Sequence, residues 1–174
     1  MLMNKQQTIS KPVSLKGVGI HSGNEVNLTF KPANEDFGYA FCRTDLPGNP
    51  IIEADVNYVV STERGTTLEK NGVNIQTSEH VLAALTGLEI DNVLIEIDAS
   101  EPPIMDGSSK FFVEALIDAG IEEQSKDRNE YVVKEIISYH DEESGSDITV
   151  LPADSYEVTA MVDFGTKILG TQNA

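Results

Sequence analysis

The stretch Thr77-Ser78-Glu79-His80-Val81-Leu82-Ala83-Ala84-Leu85-Thr86-Gly87-Leu88 decides how the chain is read. Much of what precedes it is patterned like strand. Here Val81, Leu82, Leu85 and Leu88 recur at helical spacing. Thr77 or Ser78 stands where an N-cap is expected, and Gly87 lies near the helix end. One helix inserted after a run of strands points to an α+β fold.

Working back from that helix, strands are predicted at 8–15, with Pro12 marking an edge, at 26–30 and at Tyr39–Arg43. The last two are expected to pair across the turn-rich segment 32–38. Leu46-Pro47-Gly48-Asn49-Pro50 reads as a turn. Weaker strands are predicted at 54–60, 66–69 and 73–75, with Asn71-Gly72 as a tight hairpin turn. Forward of the helix, Asn92-Val93-Leu94-Ile95-Glu96-Ile97 reads as a buried strand. A second helix is predicted over 109–119, with Phe112, Val113, Leu116 and Ile117 inward and Gly120 as its stop.

Residues 122–130 (EEQSKDRNE) are polar and read as a linker. Strands at 131–137, 147–151 and 156–164 follow, with no helix to cover them. The expected layout is a β-rich first domain over residues 1–125, its sheet packed on two helices. The first strands of a second domain then occupy 130–174. Three strands without a covering layer suggest that the chain is a fragment. The alternative is that these strands extend the first domain's sheet.

Composition bounds the function. The 174 residues carry 29 acids against 12 Lys and Arg, a formal net charge of -17. Phosphate contacts need clustered cations, so this balance argues against nucleic-acid binding, and likewise against an anionic membrane surface. Residues 1–125 hold 19 acids and 8 bases and residues 126–174 hold 10 and 4, so the excess is a general feature and no acidic tail. A hydrophobic share of 40% is enough for a core. The single Cys42 excludes an internal disulfide and a four-Cys zinc knuckle, and reads as a small buried hydrophobe. No apolar run approaches the roughly 20 residues of a membrane span, and the first residues lack a signal peptide's apolar stretch. The chain reads as cytoplasmic.

Glu79-His80 at the helix start is the pair richest in chemistry. A neutral imidazole is a good zinc ligand, and a carboxylate beside it is a good general base. Adjacent helical positions point about 100° apart, so the two cannot both be ligands on one face but can serve one site from two sides. The plain reading is an ordinary helix start with an acid favoured by the helix dipole. His21 lies in Gly17-Val18-Gly19-Ile20-His21-Ser22-Gly23, a loop whose glycines permit close backbone approach or simply a flexible turn. Arg64-Gly65-Thr66-Thr67 could hold an anion or begin a strand. Pro102-Pro103 stiffens the path into the second helix, where Asp106 or Ser108 could cap. His140 reads as part of an exposed hairpin. No phosphate-cradle, dinucleotide, serine-hydrolase or H-E-x-x-H zinc-protease pattern is present.

Taken in order, the Gly17–Gly23 loop, Arg43-Thr44-Asp45-Leu46, Arg64-Gly65-Thr66-Thr67, Thr77-Ser78-Glu79-His80 with the rest of its helix, Ile90-Asp91-Asn92 and Pro103-Ile104-Met105-Asp106-Gly107-Ser108 closely resemble the UDP-3-O-acyl-N-acetylglucosamine deacetylase family. The likeness runs from about residue 6 to 121 and more faintly to about 162. It implies a zinc-dependent hydrolase of lipid A biosynthesis, built from two α+β domains with the active site between them. His80 then matches the zinc ligand of the first domain and Glu79 the general base. His21, Arg64, Thr66 and Thr67 are implied as substrate contacts. The substrate implied is a UDP-linked, acylated amino sugar that loses its acetyl group. The family's other zinc ligands belong to an H-K-x-x-x-D motif, and neither that motif nor a later assisting His occurs here. The resemblance thus implies a truncated, inactive chain whose second domain lies elsewhere in the same polypeptide. Some members of the family are fused to a dehydratase domain. The competing readings are a non-catalytic α+β interaction module and a zinc amidohydrolase for another amino sugar.

Overall fold

A computed structural model of the chain describes residues 4–168 and 170–173. The backbone divides into a unit ending at Arg128 and a second beginning at Asn129. The architecture is α+β, with two helices and many short strands.

The first unit is organised by Val93–Ile97 (β9), which buries Val93, Ile95 and Ile97 on one face by strict alternation. On one side β9 pairs antiparallel with Glu25–Pro32 (β3), and β3 pairs with Val13–Val18 (β2). On the other side it pairs in parallel with Tyr39–Arg43 (β4), which pairs with Ile51–Glu53 (β5). The sheet order is therefore β2-β3-β9-β4-β5. The expected pairing of 26–30 with 39–43 is wrong. The later strand β9 inserts between them, because its apolar face completes the core and local turn signals carry no information about a distant partner.

Lys5–Ile9 (β1) is separate from β2, and Pro12 sits in the break between them. A 3-10 turn at Val56–Tyr58 and Val59–Ser61 (β6) replace the strand predicted at 54–60. Asp55 caps that turn by accepting from the Asn57 N–H at 2.8 Å, which breaks the extended run. Strand β6 joins Thr67–Lys70 (β7) and Val73–Ile75 (β8) in a three-stranded sheet. Asn71 and Gly72 take φ of 53° and 77°, as a type I′ hairpin turn requires.

Glu79–Gly87 (α1) and Lys110–Ala119 (α2) pack on each other, and α2 packs against β2. The α2 face buries Phe112, Leu116 and Ala119, while Ile117, expected inward, is exposed. Phe112 meets Phe30 of β3 edge to face, ring centres 6.3 Å apart. Helix and sheet thus share one core. Gly120 ends α2 at φ 77°.

The segment read as a linker is instead Ile121–Asp127 (β10), paired antiparallel with β1. It has no apolar alternation because side-chain hydrogen bonds hold it. Gln124 accepts from Asn92 Nδ2 at 2.7 Å and donates to the Ala33 carbonyl at 3.0 Å. Ser125 donates to Glu35 at 2.7 Å through its backbone N–H and again through its hydroxyl, and Lys126 pairs with Asp36.

In the second unit Ile137–Asp141 (β11) and Ser146–Val150 (β12) form a hairpin. His140 faces Asp147 across it, Nδ1 to Oδ1 2.7 Å. Met161–Asp163 (β13) and Thr171–Asn173 (β14) form another. Strand is absent at 131–136 among the described residues, although it was predicted there. Tyr131, Val132 and Ile136 are exposed, and a strand needs a ladder partner that this segment lacks. The strand predicted over 156–164 shrinks to β13 for the same reason. No helix among the described residues is long and apolar enough to cross a membrane.

Candidate functional site

The start of α1 is clamped to the turn before β7. Ser78 occupies the cap position, but its side chain does not cap the helix. Its hydroxyl and its backbone N–H both donate to the Thr66 carbonyl, at 3.0 and 3.2 Å. Reciprocally, the Thr66 N–H donates to Glu79 Oε2 at 2.7 Å. One carboxylate oxygen of Glu79 is therefore anchored, and the other is turned toward His80. His80 Nε2 lies 3.9 Å from Glu79 Oε1, beyond hydrogen-bond range. The two side chains are 32% and 38% exposed, so both are accessible while packing restrains them. Behind them, the Ser109 hydroxyl donates to the His80 carbonyl at 2.9 Å and ties α1 to the start of α2.

The remaining predicted residues divide. Thr66 acts through its backbone, as described. Thr67 opens β7 and takes its ladder position opposite Ser61. Arg64 is exposed, with φ 58°. His21 is exposed, and its loop is fastened by a residue not singled out in the sequence, Glu101. Glu101 is 1% exposed, and its carboxylate accepts from the His21 N–H at 3.0 and 3.2 Å, the Ser22 N–H at 2.9 Å and the Thr77 hydroxyl at 3.3 Å. Burial alone would raise the Glu101 carboxyl, but the Ser22 and His21 N–H groups and the Ser22 hydroxyl hold it below the usual range. An acid directly before Pro102-Pro103 was the available signal for it.

Contacts continue from Thr77 to the pair. A side chain at Gly65 would begin 3.3 Å from Thr77 Oγ1 and 3.4 Å from Glu79 Oε1. The His21 loop, Glu101, Thr77, Gly65 and Glu79 thus form one connected neighbourhood.

Three other motifs serve the fold. Arg43 is buried and grips Asp45 through two 2.8 Å hydrogen bonds, while its third nitrogen donates to the Asn74 carbonyl at 2.8 Å. Asp91 accepts from the Gln7 N–H at 2.8 Å and pairs with Arg128. Ser108, fixed by Asp106, accepts from the Lys110 N–H at 3.2 Å just ahead of α2, while Ser109 stands at the cap position and makes no side-chain cap bond.

A zinc site needs about three protein donors. Among the described residues no three His, Cys, Asp or Glu side chains cluster to hold a metal ion. The donor chemistry at α1 fits one corner of such a site, with an accessible imidazole and an adjacent, restrained carboxylate.

A model of the UDP-3-O-acyl N-acetylglycosamine deacetylase family matches residues 6–174. A bifunctional enzyme LpxC/FabZ of Chlorobaculum tepidum is 47% identical over 169 residues, covering 97% of this chain and 36% of the relative. The protein of the same name from Bacteroides thetaiotaomicron is 42% identical over 172 residues, covering 99% and 37%. A UDP-3-O-acyl-N-acetylglucosamine deacetylase of Hahella chejuensis is 44% identical over 169 residues, covering 96% and 55%. The chain thus spans about half the length of the single-function relative and about a third of the bifunctional ones.

Proposed function

The chain belongs to the UDP-3-O-acyl N-acetylglycosamine deacetylase family, and from that premise we propose that its Glu79-His80 pair is one wall of a zinc-dependent amide hydrolase site in lipid A biosynthesis, working in the cytoplasm on a UDP-linked, acylated amino sugar. The observation that carries this reading is the arrangement at α1, where Glu79 has one oxygen anchored by Thr66 and the other beside an accessible imidazole.

His80 is the ligand this chain contributes, and the other ligands come from polypeptide outside these 174 residues. A bound zinc ion supplies Lewis acidity, polarising the amide carbonyl and lowering the pKa of water toward about 7. Glu79 takes the proton of the attacking water on Oε1 and delivers it to the departing amine. The Thr66 N–H keeps Oε2 still, so the proton-carrying oxygen stays aimed through both transfers. On this reading the exposed His21, with Arg64, Thr66 and Thr67, contacts the substrate. On this reading the 174-residue chain alone turns nothing over and holds zinc weakly.

The test is steady-state hydrolysis by a polypeptide of full family length, offered the UDP-sugar with and without its O-acyl chain. Acetate release from the acylated substrate, lost by about 10²–10⁴-fold in Glu79→Ala, is expected. Release at the normal rate by Glu79→Ala contradicts the assigned role. Equal use of the unacylated sugar favours an amidohydrolase for another amino sugar.

A further inference from the structure

We infer that Glu101 is a positioning residue, whose buried carboxylate holds the His21 loop against the approach to α1 so that the loop meets the substrate beside Glu79 and His80. This rests on the reading of Glu79 and His80 given above.

A buried carboxylate is costly unless hydrogen bonds replace its water, and it is weak evidence for stability as such. Among the described residues no Lys or Arg ion pair reaches Glu101. Its compensation comes chiefly from backbone, the successive N–H groups of His21 and Ser22 converging on it as a small anion nest, with the Ser22 and Thr77 hydroxyls beside them. The loop is shaped to admit it, since a Cβ at Gly19 would fall on the Glu101 carboxylate and the Ser22 hydroxyl.

The carboxylate reaches in the other direction as well. Thr77 has φ 52°, a left-handed conformation that strains a β-branched residue and persists only where the surroundings enforce it. Its hydroxyl donates to Glu101 Oε1, and the Gln76 N–H donates to the Ser100 carbonyl at 2.8 Å. Residues 100–101 therefore hold both the His21 loop and the segment that leads into α1. Glu79 has its own anchor in the Thr66 N–H, so releasing Glu101 frees the loop and leaves the base in place.

The experiment uses Glu101→Gln, with Gly19→Ala as a second variant that disturbs the same cradle and changes no charge. In this chain, amide resonances of His21, Ser22 and Thr77 are expected to move while those of β3, β4 and β9 stay. In the polypeptide of full family length, KM for the acylated UDP-sugar is expected to rise about tenfold with kcat within about twofold, the scale of one lost hydrogen bond to a charged acceptor. Unmoved His21 and Ser22 amides, an unchanged KM, or a fall confined to kcat overturns the inference. Global loss of dispersion in both variants also overturns it, because the carboxylate then supports the fold at large. Absence of acetate release by the wild type, with the loop amides moved, sinks the catalytic reading and upholds the holding of the loop by Glu101.

Discussion

Replacing Asn92 with Ala tests the logic that joins β10 to the core. Asn92 is 1% exposed. Its Nδ2 donates to Gln6 Oε1 at 2.8 Å and to Gln124 Oε1 at 2.7 Å, and its Oδ1 accepts from the Gly38 N–H at 2.9 Å. One amide therefore binds β1, β10 and the turn before β4. Each such bond contributes about 1 kcal/mol net, and stranding buried partners raises the loss, so Asn92→Ala should cost about 3 kcal/mol. For a unit of this size, each kcal/mol moves Tm by about 3–5 °C, which gives a drop of roughly 10–15 °C. Thermal unfolding followed by circular dichroism reads the first number. Amide exchange reads the second consequence, faster exchange across residues 121–127 while β3 and β9 stay protected. A loss below about 1 kcal/mol, or a full loss with β10 exchange unchanged, would mean that Asn92 does not join β10 to the core.

Two further outcomes follow from the structure. Phe112→Ala should cost about 3–5 kcal/mol in urea unfolding, because the ring is fully buried against Phe30 and joins α2 to the sheet; a cost under about 2 kcal/mol contradicts that role. Glu101 should mark the acid limb of stability. Its carboxyl is held below the ordinary glutamate value of about 4.3, so its contribution is complete above that value and disappears as pH falls through the lower folded one. Wild type should therefore lose more stability than Glu101→Gln between neutral and strongly acidic pH, and parallel urea midpoints in the two proteins speak against it.

Where the sequence carried a local periodic signal, the elements were legible. The helical stripe of α1, the alternation of β3 and the Asn71-Gly72 turn are instances, since each is set by residues close together in the chain. What depended on distant partners was not legible. Strand β9 separates β3 from β4 because of an apolar face fifty residues downstream of β4. Strand β10 looked like a linker because polar side chains hold it, and polarity at 122–127 has the same appearance in a solvated loop. The 131–136 segment erred in the opposite sense, with strand-like composition and no strand to pair with. At the site, Glu79 and His80 stood out as chemical types. Their restraint by the Thr66 backbone is invisible in a string of letters, because the peptide N–H belongs to every residue but Pro. Glu101 carries little signal in the letters for a related reason, since its partners are the backbone of a loop eighty residues earlier. Part of the motif series turned out to serve packing, with Arg43, Asp45, Asp91 and Asn92 joining strands.

His80 is proposed to hold the metal and Glu79 to move protons. Zinc content by elemental analysis, on purified polypeptide of full family length, separates the two most directly. Glu79→Ala is expected to keep its zinc and His80→Ala to lose it after the same dialysis against a weak chelator. Full zinc retention by His80→Ala would contradict it.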